Sequence, residues 1–166
     1  MVTAGIDTSF TSTGFTVVRD GMVGFETIKT SPKDFTSETA RIVHIRDEII
    51  SKIPFDCSRV FLEDVFISHG PAAGNSLRLA LLAGCVRAGL FDKGIGFEVI
   101  QPSLLKKYVS GKGNATKDVM MMMVLKKWGV ETEDNNQADS VGLAMMAYEG
   151  FVVEPPVKKK KKKQED

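Results

Sequence analysis

Three short apolar stretches open the chain, and each has the length and the β-branched content of a strand. This pattern predicts strands over residues 2–7, 13–19 and 22–28. The Arg19-Asp20-Gly21 segment joins the second strand to the third, and an Asp-Gly pair is typical of a tight hairpin turn. The first three strands should therefore form an antiparallel meander.

From residue 38 onward the apolar positions recur at the spacing of a helix rather than a strand. We predict a helix over residues 38–53 that begins at a capping hydroxyl, Thr36 or Ser37, and is ended by Pro54. The apolar stripe of this helix consists of Ile42, Ile45, Ile49 and Ile53. A stripe of this width indicates that one face of the helix packs on a core.

Beyond Pro54 the predicted strands alternate with helices. The predicted strands span 59–63 and 96–100, and the predicted helices span 72–90, a short stretch from Gln101-Pro102, 115–128 and 136–149, with a mobile loop over 110–114. A meander followed by such alternation predicts an α/β fold with a mixed five-stranded sheet and helices on both faces.

The predicted helix over 72–90 is apolar nearly all the way round. Its second half carries only Arg78 and Arg87 as charges, and Gly84 is small enough for another helix to approach closely. A helix of this kind in a small domain usually has one side covered by a partner chain. We therefore expect a second copy or another protein to pack against it.

Composition narrows the class of protein. The 166 residues are 43% apolar and 26% charged, as in an ordinary globular domain, and the net charge is +1. We predict one domain over residues 1–153 and a disordered lysine-rich tail over 154–166, in which Lys158–Lys163 is an unbroken basic run. Without that run the body is mildly acidic, which excludes a uniformly basic nucleic-acid-binding surface.

Other features indicate a cytoplasmic protein without a membrane span. No apolar stretch reaches about 18 residues, the length that suggests a transmembrane helix. The two cysteines, Cys57 and Cys85, lie far apart with no paired spacing, so we expect free thiols rather than a disulfide framework or a zinc site.

Three acids, Asp7, Glu63 and Asp139, lie where predicted strands end or a predicted helix begins. Each has an ordinary alternative: Asp7 as a turn cap, Glu63 as a surface acid, and Asp139 as a first-turn helix acid. Carboxylates about 4 Å apart repel by roughly 4 kcal/mol per pair at an effective dielectric constant near 20. If the three converge, a divalent cation such as Mg²⁺ must therefore be part of the site.

Taken in order, five short segments resemble the RuvC-type Holliday junction resolvases, in a short phage-like version, within the ribonuclease H-like superfamily. The segments are Gly5-Ile6-Asp7, Gly14-Phe15, Leu62-Glu63-Asp64-Val65-Phe66, Gly111-Lys112-Gly113-Asn114-Ala115-Thr116-Lys117 and Asn136-Gln137-Ala138-Asp139-Ser140. Each segment is a weak signal alone, but their order and spacing over residues 3–150 make the resemblance specific.

The resemblance implies a ribonuclease H-like fold and a homodimer that nicks two opposed strands of a four-way DNA junction, using Mg²⁺ or Mn²⁺ with two ions per site. The metal ligands that it implies are Asp7, Glu63, Asp139 and Asn136. The catalytic residues that it implies are Asp7, Glu63, Asp139 and Lys117. The DNA-binding residues that it implies are Phe66, Lys106, Lys107, Lys112 and Lys117, and the dimer interface lies at Leu77, Leu81 and Gly84.

One position departs from the family pattern. The family usually carries two acids three residues apart on the last helix, whereas this chain has Asn136 before Asp139. An asparagine offers a carbonyl oxygen but no charge, so the second metal site is expected to be the weaker one. Asp134 is a nearby acid that can compensate.

Three other functions are compatible with parts of the pattern. The first is a related nuclease of the same fold that cuts other branched DNA or RNA. The second is a junction-binding protein that has lost catalysis, which Asn136 motivates. The third is a nucleotide-phosphate-binding protein of the actin and sugar-kinase kind, since Gly5-Ile6-Asp7-Thr8-Ser9 resembles a first phosphate loop. That class needs a second domain, for which 166 residues leave no room, so no nucleotide cofactor is expected.

Overall fold

The computed structural model describes residues 1–67 and 70–153. The strands in this part of the chain are β1 (Val2–Asp7), β2 (Ser12–Arg19), β3 (Met22–Lys29), β4 (Cys57–Glu63) and β5 (Phe97–Ile100). They form one sheet in the order β3-β2-β1-β4-β5, in which β1, β2 and β3 are antiparallel and β1, β4 and β5 are parallel. The predicted mixed five-stranded sheet is therefore confirmed.

The helices are α1 (Glu38–Lys52), α2 (Ala73–Asp92), α3 (Pro102–Ser110), α4 (Lys117–Trp128) and α5 (Asn135–Tyr148). Two 3₁₀ turns, Pro32–Asp34 and Gly70–Ala72, were not predicted. The cap of α1 is Ser37 rather than Thr36, since the Ser37 hydroxyl accepts a hydrogen bond from the Ala40 N–H at 3.1 Å. The predicted order and type of the main elements are correct.

Several predicted boundaries are wrong by about two residues. β4 begins at Cys57 because pairing with β1 continues past the predicted start at Arg59, with Val2 opposite Cys57. α4 begins at Lys117 rather than at 115 because Ala115 is buried against the core and Thr116 adopts an extended backbone. α2 continues to Asp92, two residues beyond the predicted end.

The sheet separates two hydrophobic cores, which confirms the prediction of helices on both faces. One core joins Phe61 and Ile100 of the sheet to α3, α4 and α5. The other joins Ile6 and Leu62 to α1 and α2. Successive residues of β1 point to opposite faces, so Asp7 lies on the α5 side while Ile6 lies on the α1 side.

Helix α5 lies directly on β1 and β2 because glycines face it. A Cβ atom at Gly5 would overlap the carbonyl oxygen of Ser140, and one at Gly14 would overlap the carbonyl oxygen of Asn136. Only a residue without a side chain permits this approach. The short distance between helix and sheet places Asp139 beside the end of β1.

The predicted tail over 154–166 and the domain boundary at residue 153 fall at the edge of, or outside, the described residues. Cys57 and Cys85 are free thiols, as predicted. Within residues 1–67 and 70–153, no helix combines the length and apolarity that crossing a membrane requires.

Candidate active site

Three carboxylates meet at one edge of the sheet. Asp7 ends β1 and Glu63 ends β4, and these two strands are parallel neighbours, so their carboxyl ends lie side by side. Asp139 reaches the same edge from α5. One oxygen from each of the three carboxylates lies within 4.8 Å of the other two. The structure therefore brings together the three acids that the sequence singled out.

The cluster is largely removed from solvent. Asp7 is 8% exposed, while Glu63 and Asp139 are half-buried. The Oδ1 atom of Asp139 is buried and has no hydrogen-bond partner among the described residues. A buried carboxylate oxygen without a donor is costly, and a cation that binds it removes that cost.

Burial raises the pKa values of all three acids, and repulsion between carboxylates adds to the effect for Asp7 and Glu63. The pKa of Asp7 lies well above its ordinary value because the group is buried, and the charges of Glu63 and Asp139 raise it further. Burial, followed by the charge of Asp139, raises the pKa of Glu63 to about 7. Burial raises the pKa of Asp139 to about 6. The cluster without a cation therefore retains protons near neutral pH.

Two lysines lie close enough to act on this cluster. The charges of Lys106 on α3 and Lys117 at the start of α4 both lower the pKa of Asp139, against the effect of burial. Lys106 also lowers the pKa of Glu63. Lys107 and Lys112 are exposed and are not among the principal charges that shift these pKa values. Of the four predicted DNA-binding lysines, two thus act electrostatically on the acids.

Asn136 and Asp134 flank the cluster at the start of α5. The Asn136 amide nitrogen donates to the carbonyl oxygen of Ser12 at 2.5 Å and to its hydroxyl at 2.9 Å. Asp134 caps the helix by accepting from the Gln137 N–H at 2.9 Å. Its charge also raises the pKa of Asp7, so this acid adds negative potential to the site.

Phe66 lies in the segment that follows Glu63 and is 77% exposed. Asp64, the residue directly after Glu63, points away from the cluster and pairs with Arg87 on α2. The sequence did not reveal this contact. The role of Gly5 and Gly14 was also missed, although glycine in the middle of a strand indicates that another backbone passes close by.

The donor set fits a hard divalent cation. Carboxylate oxygens are the ligands that Mg²⁺ and Mn²⁺ prefer, and the three acids supply them from two strands and a helix. The fit rests on the shared position of these oxygens and on the unpartnered Asp139 Oδ1. Their negative potential would attract such an ion strongly.

Several known proteins are similar to this chain in sequence. A family profile described as crossover junction endodeoxyribonuclease RuvC matches residues 3–147. The RuvC protein of Neorickettsia sennetsu is 31% identical over 137 residues, covering 78% of this chain and 80% of that protein. The RuvC protein of Brachyspira hyodysenteriae is 24% identical over 151 residues, covering 87% and 92%.

Solved structures give the same result. A Thermus thermophilus RuvC structure superposes with a TM-score of 0.68 at 25% identity, covering 90% of this chain and 97% of that one. T. thermophilus RuvC in complex with a Holliday junction substrate superposes with a TM-score of 0.67 at 26% identity, covering 87% and 91%. Since the profile spans nearly the whole described fold, this protein belongs to the RuvC family of crossover junction endodeoxyribonucleases.

Proposed function

We propose that the protein is a structure-selective DNA endonuclease that resolves four-way junctions by divalent-metal-dependent phosphodiester hydrolysis, acting as a homodimer. The observation that carries this proposal is the convergence of Asp7, Glu63 and Asp139 within 4.8 Å at the sheet edge of a RuvC-family fold. Structural acids rarely form such a cluster because they repel one another.

In this proposal Asp7, Glu63 and Asp139, whose carboxylate oxygens meet at the sheet edge, would hold two Mg²⁺ or Mn²⁺ ions. Asn136 would supply a neutral carbonyl oxygen to the same site. When bound, such ions supply positive charge that stabilises the attacking and leaving oxygens of an in-line phosphoryl displacement. Because Glu63 retains its proton to about pH 7 without a cation, metal affinity should rise with pH.

The chain's own cations and its exposed aromatic residue act on the DNA. Lys106 and Lys117 lie beside the acids and offset the charge of the scissile phosphate as it increases toward the transition state. Lys107 and Lys112 are exposed for contact with backbone phosphates farther from the cluster. Phe66, which is 77% exposed just beyond Glu63, is available to stack on the bases at the junction centre.

The exposed face of α2 supports a homodimer. Its apolar or small residues are spaced alternately four and three positions apart, which is the pattern of a helix–helix seam. These residues are Leu77, Leu81, Gly84, Ala88 and Phe91, and all are exposed, with Leu77 at 60%, Leu81 at 58% and Phe91 at 78%. Leu77 and Phe91 lie equally far from Gly84 along the helix, on either side of it. An antiparallel pair on a two-fold axis at Gly84 therefore sets each Leu77 opposite a Phe91. Contact of this kind covers the unpartnered apolar side of the helix.

A single cleavage assay tests the activity. A mobile four-way junction, a flap, a plain duplex and an RNA–DNA hybrid are incubated with protein in Mg²⁺, in Mn²⁺ and in EDTA. We expect paired nicks in the junction with either metal and none in EDTA. The Asp7→Asn variant should abolish nicking and retain junction binding. Asp20→Asn makes the same change in the turn between β2 and β3. This turn lies beside the start of β1, at the opposite end of that strand from Asp7, so nicking should remain intact.

Other outcomes separate the remaining functions. Nicking by Asp7→Asn at the parent rate would contradict the assigned site. Cleavage of the flap or the hybrid in preference to the junction would indicate a related nuclease with another substrate. Junction binding without cleavage at any metal concentration would indicate a binding protein that has lost catalysis.

Sedimentation equilibrium tests the dimer. We expect Leu81→Glu to shift the protein toward monomer, because a charge at the seam is buried by association. Phe55→Glu is the matched control, since Phe55 is fully exposed in the loop between α1 and β4 and lies outside the seam. An unchanged mass in Leu81→Glu would place the interface on another surface.

A further inference from the structure

An ion pair joins the end of β4 to helix α2. The Nη2 of Arg87 donates to Oδ1 of Asp64 at 2.7 Å, and Asp64 directly follows Glu63. The same oxygen accepts from the Val65 N–H at 3.0 Å, while the Asp64 N–H donates to the carbonyl oxygen of Ile100 on β5 at 2.8 Å. The Asp64 carboxylate therefore accepts hydrogen bonds both from the backbone just after β4 and from a side chain of α2.

The ion pair between Asp64 and Arg87 is partly exposed to solvent and borders a cavity. About a third of each side chain is exposed, 31% for Arg87 and 33% for Asp64. A cavity of about 220 Å³ lies beside it, lined by Val65 and Ile67 on one side and by Ala80, Ala83 and Gly84 of α2 on the other. This cavity lies between α2 and residues 65 and 67, so the packing between them is incomplete there. The ion pair bridges the gap.

The ion pair connects the segment that carries the proposed metal ligand and DNA contact to the helix that carries the proposed dimer seam. On one side the backbone that Asp64 holds carries Glu63 and Phe66. On the other side Arg87 is one helical turn beyond Gly84, the centre of the exposed seam on α2. A shift of α2 when two copies associate would thus be passed to the segment that carries Glu63 and Phe66.

We propose that Asp64 and Arg87 are positioning residues that set Glu63 and Phe66 relative to α2 and, through α2, relative to the second copy. This inference rests on the proposed function, because it takes Glu63 as a metal ligand and Phe66 as a DNA contact. The pair needs no contact with DNA or metal to matter, since a misplacement of about 1 Å can lower a rate about 100-fold.

The first test is single-turnover cleavage of a pre-bound four-way junction in saturating Mn²⁺. Asp64→Asn and Arg87→Met should each lower the rate by about 10- to 100-fold, as changes to residues that orient metal ligands do. Junction affinity in EDTA and the melting temperature should stay at the parent values. The double variant should be no slower than the slower single variant, because each change breaks the same link.

The second test does not depend on cleavage. Calorimetric titration of each metal-free protein with Mn²⁺ should give a dissociation constant about tenfold larger in both single variants than in the parent. Arg87→Lys keeps the charge but replaces the guanidinium with an ammonium of different reach and direction, so it should fall between parent and Arg87→Met. If the parent binds Mn²⁺ but cuts no junction, the proposed function fails while this measurement still decides the role of the pair.

Glu38→Gln is the matched control. It removes the acid partner of Arg78, whose ion pair with Glu38 joins α2 to α1 and does not involve the end of β4. We expect parent rates and parent Mn²⁺ affinity for it. Three results would overturn the inference: parent behaviour in both single variants, losses that multiply in the double variant, or equal losses in Glu38→Gln.

Discussion

Replacing Asp139 with asparagine should stabilise the metal-free protein while removing its metal site. Asp139 is held in a cluster of three buried or half-buried acids, and its Oδ1 has no hydrogen-bond partner in the described part of the chain. Ionised at neutral pH, it opposes folding. Asparagine has nearly the same shape without the charge, so Asp139→Asn removes the buried charge and keeps the packing.

The size of the effect follows from the pKa. The pKa of Asp139 is raised from 3.8 to about 6 in the folded protein. At 1.36 kcal/mol per pKa unit, the ionised group lowers the free energy of unfolding on the order of 3 kcal/mol. For a chain of this length that corresponds to roughly 6–12 °C in the melting temperature. The variant also removes the charge that helps to raise the pKa of Glu63 to about 7, which adds to the gain.

The sign of the pH dependence is opposite to that of an acid in a salt bridge. The folded-state pKa of Asp139 exceeds the unfolded value, so at pH values between these two pKa values the folded protein binds more protons than the unfolded chain. Stability therefore falls as the pH rises through this window. The difference in the free energy of unfolding between Asp139→Asn and the parent should be small below about pH 4. It should grow toward pH 7 and stay constant above that.

Urea denaturation in EDTA at a series of pH values measures this difference directly. Glu131→Gln is the control, since Glu131 is exposed and its neutralisation should leave stability nearly unchanged. Adding Mg²⁺ should stabilise the parent by mass action and the variant much less. The reasoning is refuted if Asp139→Asn is as unstable as the parent, or less stable, at pH 8 in EDTA.

Three further predictions concern the helix contacts and the second metal site. Gly14→Ala should destabilise the protein by on the order of 1–3 kcal/mol in urea denaturation, because its Cβ meets the Asn136 carbonyl. Lys117→Gln should slow single-turnover junction cleavage by about 100-fold, because it removes a positive charge beside Asp139. Asn136→Asp should lower the Mg²⁺ concentration for half-maximal cleavage, because it supplies a charged ligand beside the cluster.

Each of these has a matched control and an opposing outcome. Gly24→Ala changes a strand glycine whose Cβ has ample room, so a loss as large as that of Gly14→Ala would contradict close approach of α5. Lys126→Gln alters an exposed lysine on the last turn of α4, and an equal effect on rate would indicate a general charge effect. Asn135→Asp adds the same charge one residue earlier, and an equal shift in Mg²⁺ dependence would remove Asn136 from the metal site.

The sequence by itself determined the order of the elements and the identity of the three acids. Period-two and helical spacing are local properties, so they predicted the strands and helices to within about two residues. Glu63 was identifiable because it ends a short apolar run, and Asp7 because it ends a buried strand. The resemblance of the motifs to the RuvC family was confirmed by the profile match over residues 3–147.

Only the tertiary structure decided what depends on residues far apart in the chain. The distance between Asp7 and Asp139 follows from how closely α5 lies on the sheet, and Gly5 and Gly14 permit that only because the helix crosses them. The pairing of Asp64 with Arg87 is likewise set by the packing of α2. Raised pKa values arise from burial together with charges brought in from several elements, and neither is a property of any segment alone.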